Sequence, residues 1–299
     1  FESNEFMNIL YTNFHPGNGG GHTTYLTYLF NGVLSQNINA FIAVPEVSKL
    51  NKDLKKKHLN KVFDIDFPGK PKEIFNIIKN IKKLKNIIIK EQIDVVHVNG
   101  TPDHKVVMLC KWLYRLNFRI IRTKHDSFKI KQDWFANKLY GKYTDQMIVV
   151  SNFQYNHIIT SELQRKTTVI HNGIDLEYFQ PREKSQDLIK QFNIQDKDIV
   201  FVSVAGTALH KGWQFLVEAA SRLDDELRSR IKIIIVGNSP SNEIVEQYIN
   251  QLNMQDNVIF TGFMDDVREA ISIADIGFVL SIGVETISFA CREMMAMGK

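Results

Sequence analysis

Only two cysteines occur in the 299 residues, Cys110 and Cys291. They stand far apart in apolar contexts, with no C-x-x-C pair and no zinc spacing. A disulfide framework and a structural zinc site are therefore both excluded, and a reducing, cytoplasmic setting is expected. No apolar run is long enough to cross a bilayer as a helix. No basic start followed by an apolar stretch marks a signal peptide. Charge of one sign is also scarce in excess: the formal net charge is +4, too mild by itself for a nucleic-acid binder. No fixed-period repeat or low-complexity tract is found. What is present is 44% apolar residues, ample for two packed cores in a chain of this length.

Along the chain two periods alternate. β-rich runs are predicted at Asn8–Tyr11, Ala40–Val44, Asp94–Val98, Arg119–Thr123, Met147–Val150 and Thr168–His171. Between most of them lie helical patterns, at Thr23–Gln36, Lys72–Glu91, Lys105–Leu116, Asp133–Tyr143 and Asn152–Ser161. After a polar stretch carrying Pro181, the alternation restarts at "DIVFVSVA" and runs on through "IKIIIVGN", "NVIFTG" and "DIGFVL". Strand–helix alternation of this kind predicts an α/β chain of two doubly wound, Rossmann-like parallel-sheet domains. The expected divisions are a first domain over residues 7–175, a linker over 176–195 and a second domain over 196–299.

In open parallel sheets ligands collect in the loops at the carboxyl ends of strands. The first such loop reads "FHPGNGGGHTTY". It fits neither a Walker loop, since no lysine follows the glycines, nor the G-x-G-x-x-G spacing. Its glycines still allow close backbone approach to a sugar or phosphate, and Gly20 and Gly21 are the candidates. His104 and His125 follow two further strands and are expected near the same edge, whereas His97 lies within its strand and is expected in the core. In the second half, Lys211 and Gly212 open a helix. A cation at a helix N-terminus opposes the macrodipole unless an anion is bound there, so a phosphate or diphosphate is the natural partner. The stretch "ETISFACREMMAMG" places Glu285 in a loop, Ser288 at an N-cap, and Glu293 in the helix that follows. The amides of Ile287, Ser288 and Phe289 form a second anion site. Carboxylates flanking such a cradle would serve to hold hydroxyls, as a nucleotide sugar offers on both sides of its diphosphate.

E-x(7)-E followed by "MMAMG" resembles the signature of retaining GT-B glycosyltransferases of the group 1, family 4 type. "DVVHVNG", "RTKH", "VSNFQ", "VIHNGIDLEYFQP" and "VAGTALHKGWQFLVEAASRL" agree with it in order, over nearly the whole chain. The resemblance implies two domains facing a cleft, an acceptor-side first domain and a second domain that binds the nucleotide sugar. Lys211 would neutralise the donor diphosphate, Glu293 would hold the ribose and Glu285 would meet the donor sugar. Ile287, Ser288 and Phe289 would cradle phosphate, Phe263 would stand beside the base, Gly20 and Gly21 would close over the donor, and His104 or His125 would stand at the reacting centre. One departure is plain: the arginine that usually stands five residues before the K-G lysine is here Gly206. In the family a further strand and crossing helices follow the "MAMG" glycine, so the second domain is expected to be incomplete and the chain a fragment.

No D-x-D stands at a strand end, and Asp224–Asp225 and Asp265–Asp266 read as helix starts and turns. No metal and no cofactor besides the donor are expected. The expected partners are a nucleotide-diphosphate sugar and a glycan or lipid-linked acceptor of the cell envelope, with no nucleic acid. Two lysine-rich stretches, Lys49–Lys61 and Lys79–Lys90, read as solvated faces, or alternatively as a basic patch touching a phosphorylated envelope glycan or, peripherally, anionic lipid at the inner face of the membrane. The series Ile74, Ile77, Ile78, Ile81, Leu84 and Ile88 is expected to be a core face. Alternative readings are a catalytically silent sugar-binding module, or an epimerase or phosphorylase of the same fold.

Overall fold

The computed structural model describes residues 7–17, 20–69, 73–131, 133–157, 159–240, 243–282 and 287–299. The chain forms two compact units that divide between Asn172 and Gly173.

The first unit is built on a seven-stranded sheet: β1 (Ile9–Thr12), β2 (Ala40–Val44), β3 (Val62–Asp64), β4 (Val95–Val98), β5 (Arg119–Lys124), β6 (Gln146–Val149) and β7 (Thr167–Val169). Its order is β3-β2-β1-β4-β5-β6-β7, and every pairing is parallel. β2 and β4 read AFIAV and VVHV and are buried at every residue. Such near-continuous burial marks strands covered on both faces. Right-handed crossovers then sort the helices by face. On one face α1 (Gly21–Ser35) and α2 (Lys49–His58) pack Leu26, Phe30, Leu50 and Leu54 against Tyr11, Ile42 and Val44. On the other, α3 (Ile74–Lys90) and α4 (Thr101–Tyr114) bring Ile81, Leu84, Ile88, Val106 and Cys110 onto Val96, Val98 and Ile120. Next to α4 lies α5 (Trp134–Ala136), continued by a π-helical turn over Asn137–Lys142. The short α6 (Asn152–His157) and α7 (Ser161–Gln164) lead into β7.

The second unit carries α8 (Gln186–Gln191), β8 (Ile199–Ser203), α9 (Trp213–Ser221), α10 (Asp225–Ser229), β9 (Ile231–Ile235), α11 (Glu243–Gln251), β10 (Val258–Phe260), α12 (Arg268–Ile273), β11 (Ile276–Gly277) and α13 (Phe289–Ala296). Its four strands are parallel in the order β10-β9-β8-β11. Trp213, Val217 and Ile249 pack on one face against Ile233 and Ile235. Leu188, Ala270 and Ile273 cover Val200, Val202 and Ile234 on the other.

Three expectations are corrected. The stretch 176–195 is not a linker but part of the second unit. Leu188 of α8 joins its core, the Ser185 N–H donates to Ser272 Oγ at 3.0 Å, and Lys184 pairs with Asp275 at 3.0 Å. On α3, Ile74 and Ile78 are exposed while Ile77 packs partly on the core and full burial begins at Asn80 and Ile81, because Ile78 lies a helical quarter-turn and more from the Ile77, Ile81, Leu84 and Ile88 stripe. The "NGTPDHK" stretch is the opening of α4 rather than a loop, with Pro102 in the first turn, where its missing N–H has no intrahelical partner to lose. Two further elements were not expected as such: α2, with two leucines in ten residues, and β3, only three residues long.

Truncating Leu84, fully buried between α3, α4 and the sheet, should destabilise the first unit. Leu84→Ala is expected to cost about 2–5 kcal/mol in chemical denaturation followed by circular dichroism, while Ile78→Ala, at an exposed position, should cost well under 1 kcal/mol, roughly the level of a neutral surface change.

Candidate functional site

In each sheet the strand order reverses once, and a ligand crevice forms beyond the carboxyl ends at such a point. In the second unit the reversal lies between β8 and β11. The loop after β8 leads to a 3-10 turn, Leu209–Lys211, and then to Gly212 at φ 76°. A Cβ on Gly212 would lie 2.0 Å from the Leu280 carbonyl oxygen. The turn bearing Lys211 is therefore pressed against the chain leaving β11, an approach that only glycine allows. Ile282 N–H donates to the His210 carbonyl at 2.9 Å and completes this junction. Trp213, 1% exposed, holds the loop from below by donating its indole N–H to the Thr207 carbonyl at 2.8 Å. Gly237 and Gly262 exchange backbone hydrogen bonds of 3.0 and 3.1 Å, and a Cβ on Gly237 would meet Thr207 Cγ2 at 3.0 Å. The four loops that follow β8, β9, β10 and β11 are thus tied into one edge.

The described sequence candidates of this unit lie on those loops or in the helix that follows β11. Lys211 is half-buried in the turn, and Phe263, just after Gly262, is exposed. Ile287 and Ser288 precede α13, and Phe289 is its first residue. The Ser288 hydroxyl accepts the Cys291 N–H at 3.3 Å, the N-cap expected from the sequence. Glu293, in the second turn of α13, is half-buried, and burial pushes its carboxyl up to about 7. Glu285 lies outside the described residues. Gly206 stands at φ 93° with open space around its α-carbon. Room for an arginine side chain exists there, but the backbone has taken a conformation that L residues resist.

In the first unit the reversal lies between β1 and β4. Gly20, at φ 105°, precedes α1 and offers no side-chain cap; Gly21 is the first helical residue. His22 follows, its ring 4.4 Å from that of His125 and 5.4 Å from that of His15. Tyr25 stands edge-on to His125 at 4.6 Å. The glycine loop and His125 are thus brought together. His125 is oriented from beneath. Asn99 Nδ2 donates to the Thr12 and His97 carbonyls at 3.1 and 3.3 Å, which leaves its Oδ1 to accept from His125 Nε2 at 3.1 Å. Asn99 is held in turn by Asp103, whose Oδ2 accepts the Asn99 N–H at 2.8 Å and the Thr12 hydroxyl at 2.7 Å. Gln154, fully buried, grips the backbone on both sides of His125, donating to the Lys124 and Asp126 carbonyls at 3.1 and 3.0 Å.

His104 is not part of this edge. It lies in the first turn of α4, fully buried, with Nε2 2.9 Å from Thr144 Oγ1 and its ring edge-on to Tyr140 at 5.2 Å. It is a packing residue between α4 and the π-helical turn, because the strand–loop boundary expected at Asn99–Lys105 is a strand–helix boundary. His97 is buried as expected, 2.7 Å from Thr123 Oγ1. The residues that sequence reasoning missed are His22, Asn99, Asp103, Arg122 and Gln154. "VSNFQ" and "DVVHVNG" contain two of them, but which polar side chain turns inward depends on packing. Arg122 is 2% exposed, and its Nε and Nη1 have no hydrogen-bond partner among the described residues. Asn13, at the end of β1, likewise has both side-chain amide atoms unmatched among the described residues.

These histidines are held neutral. Burial pushes His22 down to about 4, with the His15 and Arg122 charges adding. Burial, then Arg122, pushes His97 down to about 3. His125 is held well below its ordinary value by burial, with His22 and Arg122 contributing. Asp103 is raised by burial despite Arg122 and the hydrogen bonds it accepts. Among the described residues, no three His, Cys, Asp or Glu side chains are grouped to hold a metal ion.

Comparison with known proteins gives a consistent result. The family "Glycosyltransferase Family 4" matches residues 19–178, and "Glycosyl transferases group 1" matches residues 184–299. N-acetyl-alpha-D-glucosaminyl L-malate synthase of Bacillus anthracis is 25% identical over 223 residues, covering 72% of this chain and 58% of that protein. UDP-Gal:alpha-D-GlcNAc-diphosphoundecaprenol alpha-1,3-galactosyltransferase of Escherichia coli is 26% identical over 241 residues, covering 74% and 60%. The chain therefore spans somewhat under two thirds of the length of these relatives. HepE from Anabaena, solved in complex with UDP-glucose, superposes with a TM-score of 0.77 at 18% identity, over 98% of this chain and 79% of that one. The shared fold is of the GT-B type.

Two outcomes follow from the geometry. Gly212→Ala should break the Lys211 turn away from Leu280, since a left-handed residue would clash with backbone; a thermal-denaturation midpoint lowered by several degrees is expected, about 4–8 °C per kcal/mol in a small unit. The buried histidines set an acid limit. Their folded pKa values lie below the ordinary 6.5, so the unfolded chain binds more protons below that pH. Stability should be fully present above pH 6.5 and fall as pH drops towards about 4, by up to about 1.4 kcal/mol per pH unit for each histidine. Unfolding measured between pH 7.5 and 4.5 reads this directly.

Proposed function

The chain belongs to the group 1 glycosyl transferases, with a first unit of the family 4 type, and on that premise we propose that it moves a sugar from a nucleoside-diphosphate sugar to a cell-envelope glycan or glycolipid, with retention at the anomeric carbon. The observation that carries this reading is the junction of the Lys211 turn with the chain leaving β11, which brings a cation to the loop that ends at the N-terminus of α13. A diphosphate suits that pairing of a lysine and first-turn amides. Glu293, one turn into the same helix, suits ribose hydroxyls, and Phe263 on the neighbouring loop suits the flank of a base. Glu285 is assigned to the donor sugar. In the first unit, His125 is read as facing the acceptor. HepE binding UDP-glucose supports the donor class, and the diphosphoundecaprenol named for the Escherichia coli relative supports a lipid-linked acceptor.

In this reading no protein carboxylate forms a covalent intermediate and no metal takes part. The bond from the anomeric carbon to the diphosphate oxygen breaks, the acceptor oxygen bonds from the same face, and its proton passes to the departing phosphate. The protein's work is to hold the partners and to stabilise charge on the leaving group. Without an arginine at position 206, the side-chain share of that task falls mainly on Lys211.

Lys211→Ala should lower kcat by on the order of 10²–10³, because its stabilisation grows with charge on the leaving group. Affinity for the free nucleoside diphosphate should fall with it. Near-normal kcat would sink the assignment. For Glu293, ribose contacts are alike in ground and transition states, so Glu293→Ala should raise the donor KM more than it lowers kcat. Hydroxyl donors favour the carboxylate over the acid, so donor binding should release a proton. Affinity should then be full above the carboxyl's value of about 7 and weaken by up to about tenfold per pH unit below it. Calorimetric titration of the nucleoside diphosphate sugar across pH 6–8 measures this slope, and Glu293→Gln should flatten it.

A further inference from the structure

We propose that Asn99, held by Thr12 and Asp103, is a positioning residue that fixes the ring proton of His125 on Nε2 and leaves Nδ1 to accept a hydrogen bond from a substrate hydroxyl. The chain of contacts begins at the end of β1. The Thr12 hydroxyl and the Asn99 N–H both donate to Asp103 Oδ2, at 2.7 and 2.8 Å, and all three residues are fully buried. The Asn99 amide then has one workable orientation. Its Nδ2 faces two carbonyls, those of Thr12 and His97, at 3.1 and 3.3 Å. Turning the amide over would set its oxygen against both of these acceptors. Oδ1 therefore faces His125 Nε2, at 3.1 Å. An amide oxygen only accepts, so the ring nitrogen opposite it carries the hydrogen. His97 differs. Its Nε2 lies 2.7 Å from the Thr123 hydroxyl, which can donate or accept, so that contact sets no tautomer.

The surroundings hold the ring in that pose and keep it uncharged. His22 lies 4.4 Å from it, and Tyr25 meets it edge-on at 4.6 Å, itself tied by its hydroxyl to Thr123 Oγ1 at 3.2 Å. Gln154 fixes the peptides on either side. Burial first, and then His22, Arg122, His97 and Lys124, oppose a charge on the ring. A neutral ring with its proton on Nε2 keeps its lone pair on Nδ1.

The partner of Nε2 decides what that lone pair does. A carboxylate there would stabilise the imidazolium and make the ring a base. An amide oxygen carries no charge and gives little such help, and the carboxylate of the network, Asp103, is engaged with Asn99 and Thr12 instead. His125 thus suits orienting a hydroxyl rather than removing its proton, which agrees with a transfer in which the departing phosphate takes the proton. The inference rests on the reading of His125 as facing the acceptor, yet the ring proton can be located without turnover, so the two are tested apart.

The experiment is nitrogen–proton correlation NMR of the whole chain with labelled histidine at neutral pH, which reports the protonated nitrogen of each ring. With nine histidines in the chain, the His125 signals can be assigned through His125→Gln. That ring should be neutral and protonated on Nε2. Asn99→Leu, which removes the acceptor, should release it to a mixture of tautomers or to Nδ1–H. Asn99→Asp still offers an acceptor oxygen and should keep the proton on Nε2. In the turnover assay used for Lys211, Asn99→Leu should lower kcat by about tenfold or more and leave the donor KM within roughly twofold. Circular dichroism and nucleoside diphosphate binding check that each variant is folded, and the wild-type and Asn99→Asp spectra decide if Asn99→Leu does not fold. The proposal is overturned by a wild-type ring that is charged or protonated on Nδ1, or by folded Asn99→Leu with an unchanged tautomer or an unchanged kcat. A kcat indifferent to His125→Gln overturns the acceptor reading and with it the role of Nδ1, whereas a misplaced proton overturns this inference alone.

Discussion

Parallel strand pairing is the constraint on which everything else here depends. Each strand must be followed by a return across a face of the sheet before the next can pair beside it, so all the loops that follow strands emerge at one edge. The order then reverses once in each sheet, between β1 and β4 and between β8 and β11. Two helices leaving in opposite directions open a crevice at that point. Asn13, Asn99, His22 and His125 gather at the first reversal, and Lys211 and α13 at the second. Residues far apart in sequence become neighbours because the sheet leaves the chain no other edge at which to present them.

The two edges are stiffened by different means. In the second unit close backbone approach does the work. Gly212 admits the Leu280 carbonyl, and Gly237 admits Thr207 and pairs with Gly262. Removing side chains lets loops lock through main-chain contacts that cannot change rotamer, which suits the diphosphate site proposed for this edge. In the first unit a buried polar network does it. Asp103 holds Asn99, Asn99 orients His125, and Gln154 fixes the peptides around it. A buried carboxylate or guanidinium costs on the order of several kcal/mol to desolvate, and a sheet edge meant only for stability would be apolar. Retaining Asp103, Arg122 and Asn13 there is an expense of folding that makes sense for an edge that handles polar ligands. The same low dielectric keeps the histidines neutral, so His22 and His125 present lone pairs rather than charge at neutral pH.

The outer helical layer of the first unit follows another logic. Its inner stripe, Ile81, Leu84 and Ile88 with Val106 and Cys110, is fully committed to the core. Its outer stripe is free of that demand and carries Phe75, Trp112 and Trp134 beside lysines, two of which pair with acids at the element ends, Lys90 with Glu91 at 3.1 Å and Lys111 with Asp145 at 3.8 Å. The opposite face, covered by α1 and α2, balances lysines with aspartates. One sheet therefore separates two surfaces of different character while both serve the same core.

Much was legible from order alone. Hydrophobic runs of strand length alternating with helical periods determined the α/β class, the parallel sheets and the two-unit organisation, since local burial on both faces of a strand leaves a continuous apolar signature. Ser288 was readable as an N-cap, because capping is a matter of a few neighbouring residues. Candidate ligand groups on loops after strands, Lys211 and His125 among them, were readable for the same reason that parallel sheets are. The sequence could not say that His104 turns inward onto Thr144, that stretch 176–195 is bound into the second core, or that Ile74 and Ile78 stay outside while Ile81 and Leu84 do not. Nor could it find Asn99, Asp103 and Gln154 beneath His125. Most of those depend on which neighbour a side chain meets across 26 to 91 residues of sequence, and a local pattern carries no information about a contact that only chain return creates.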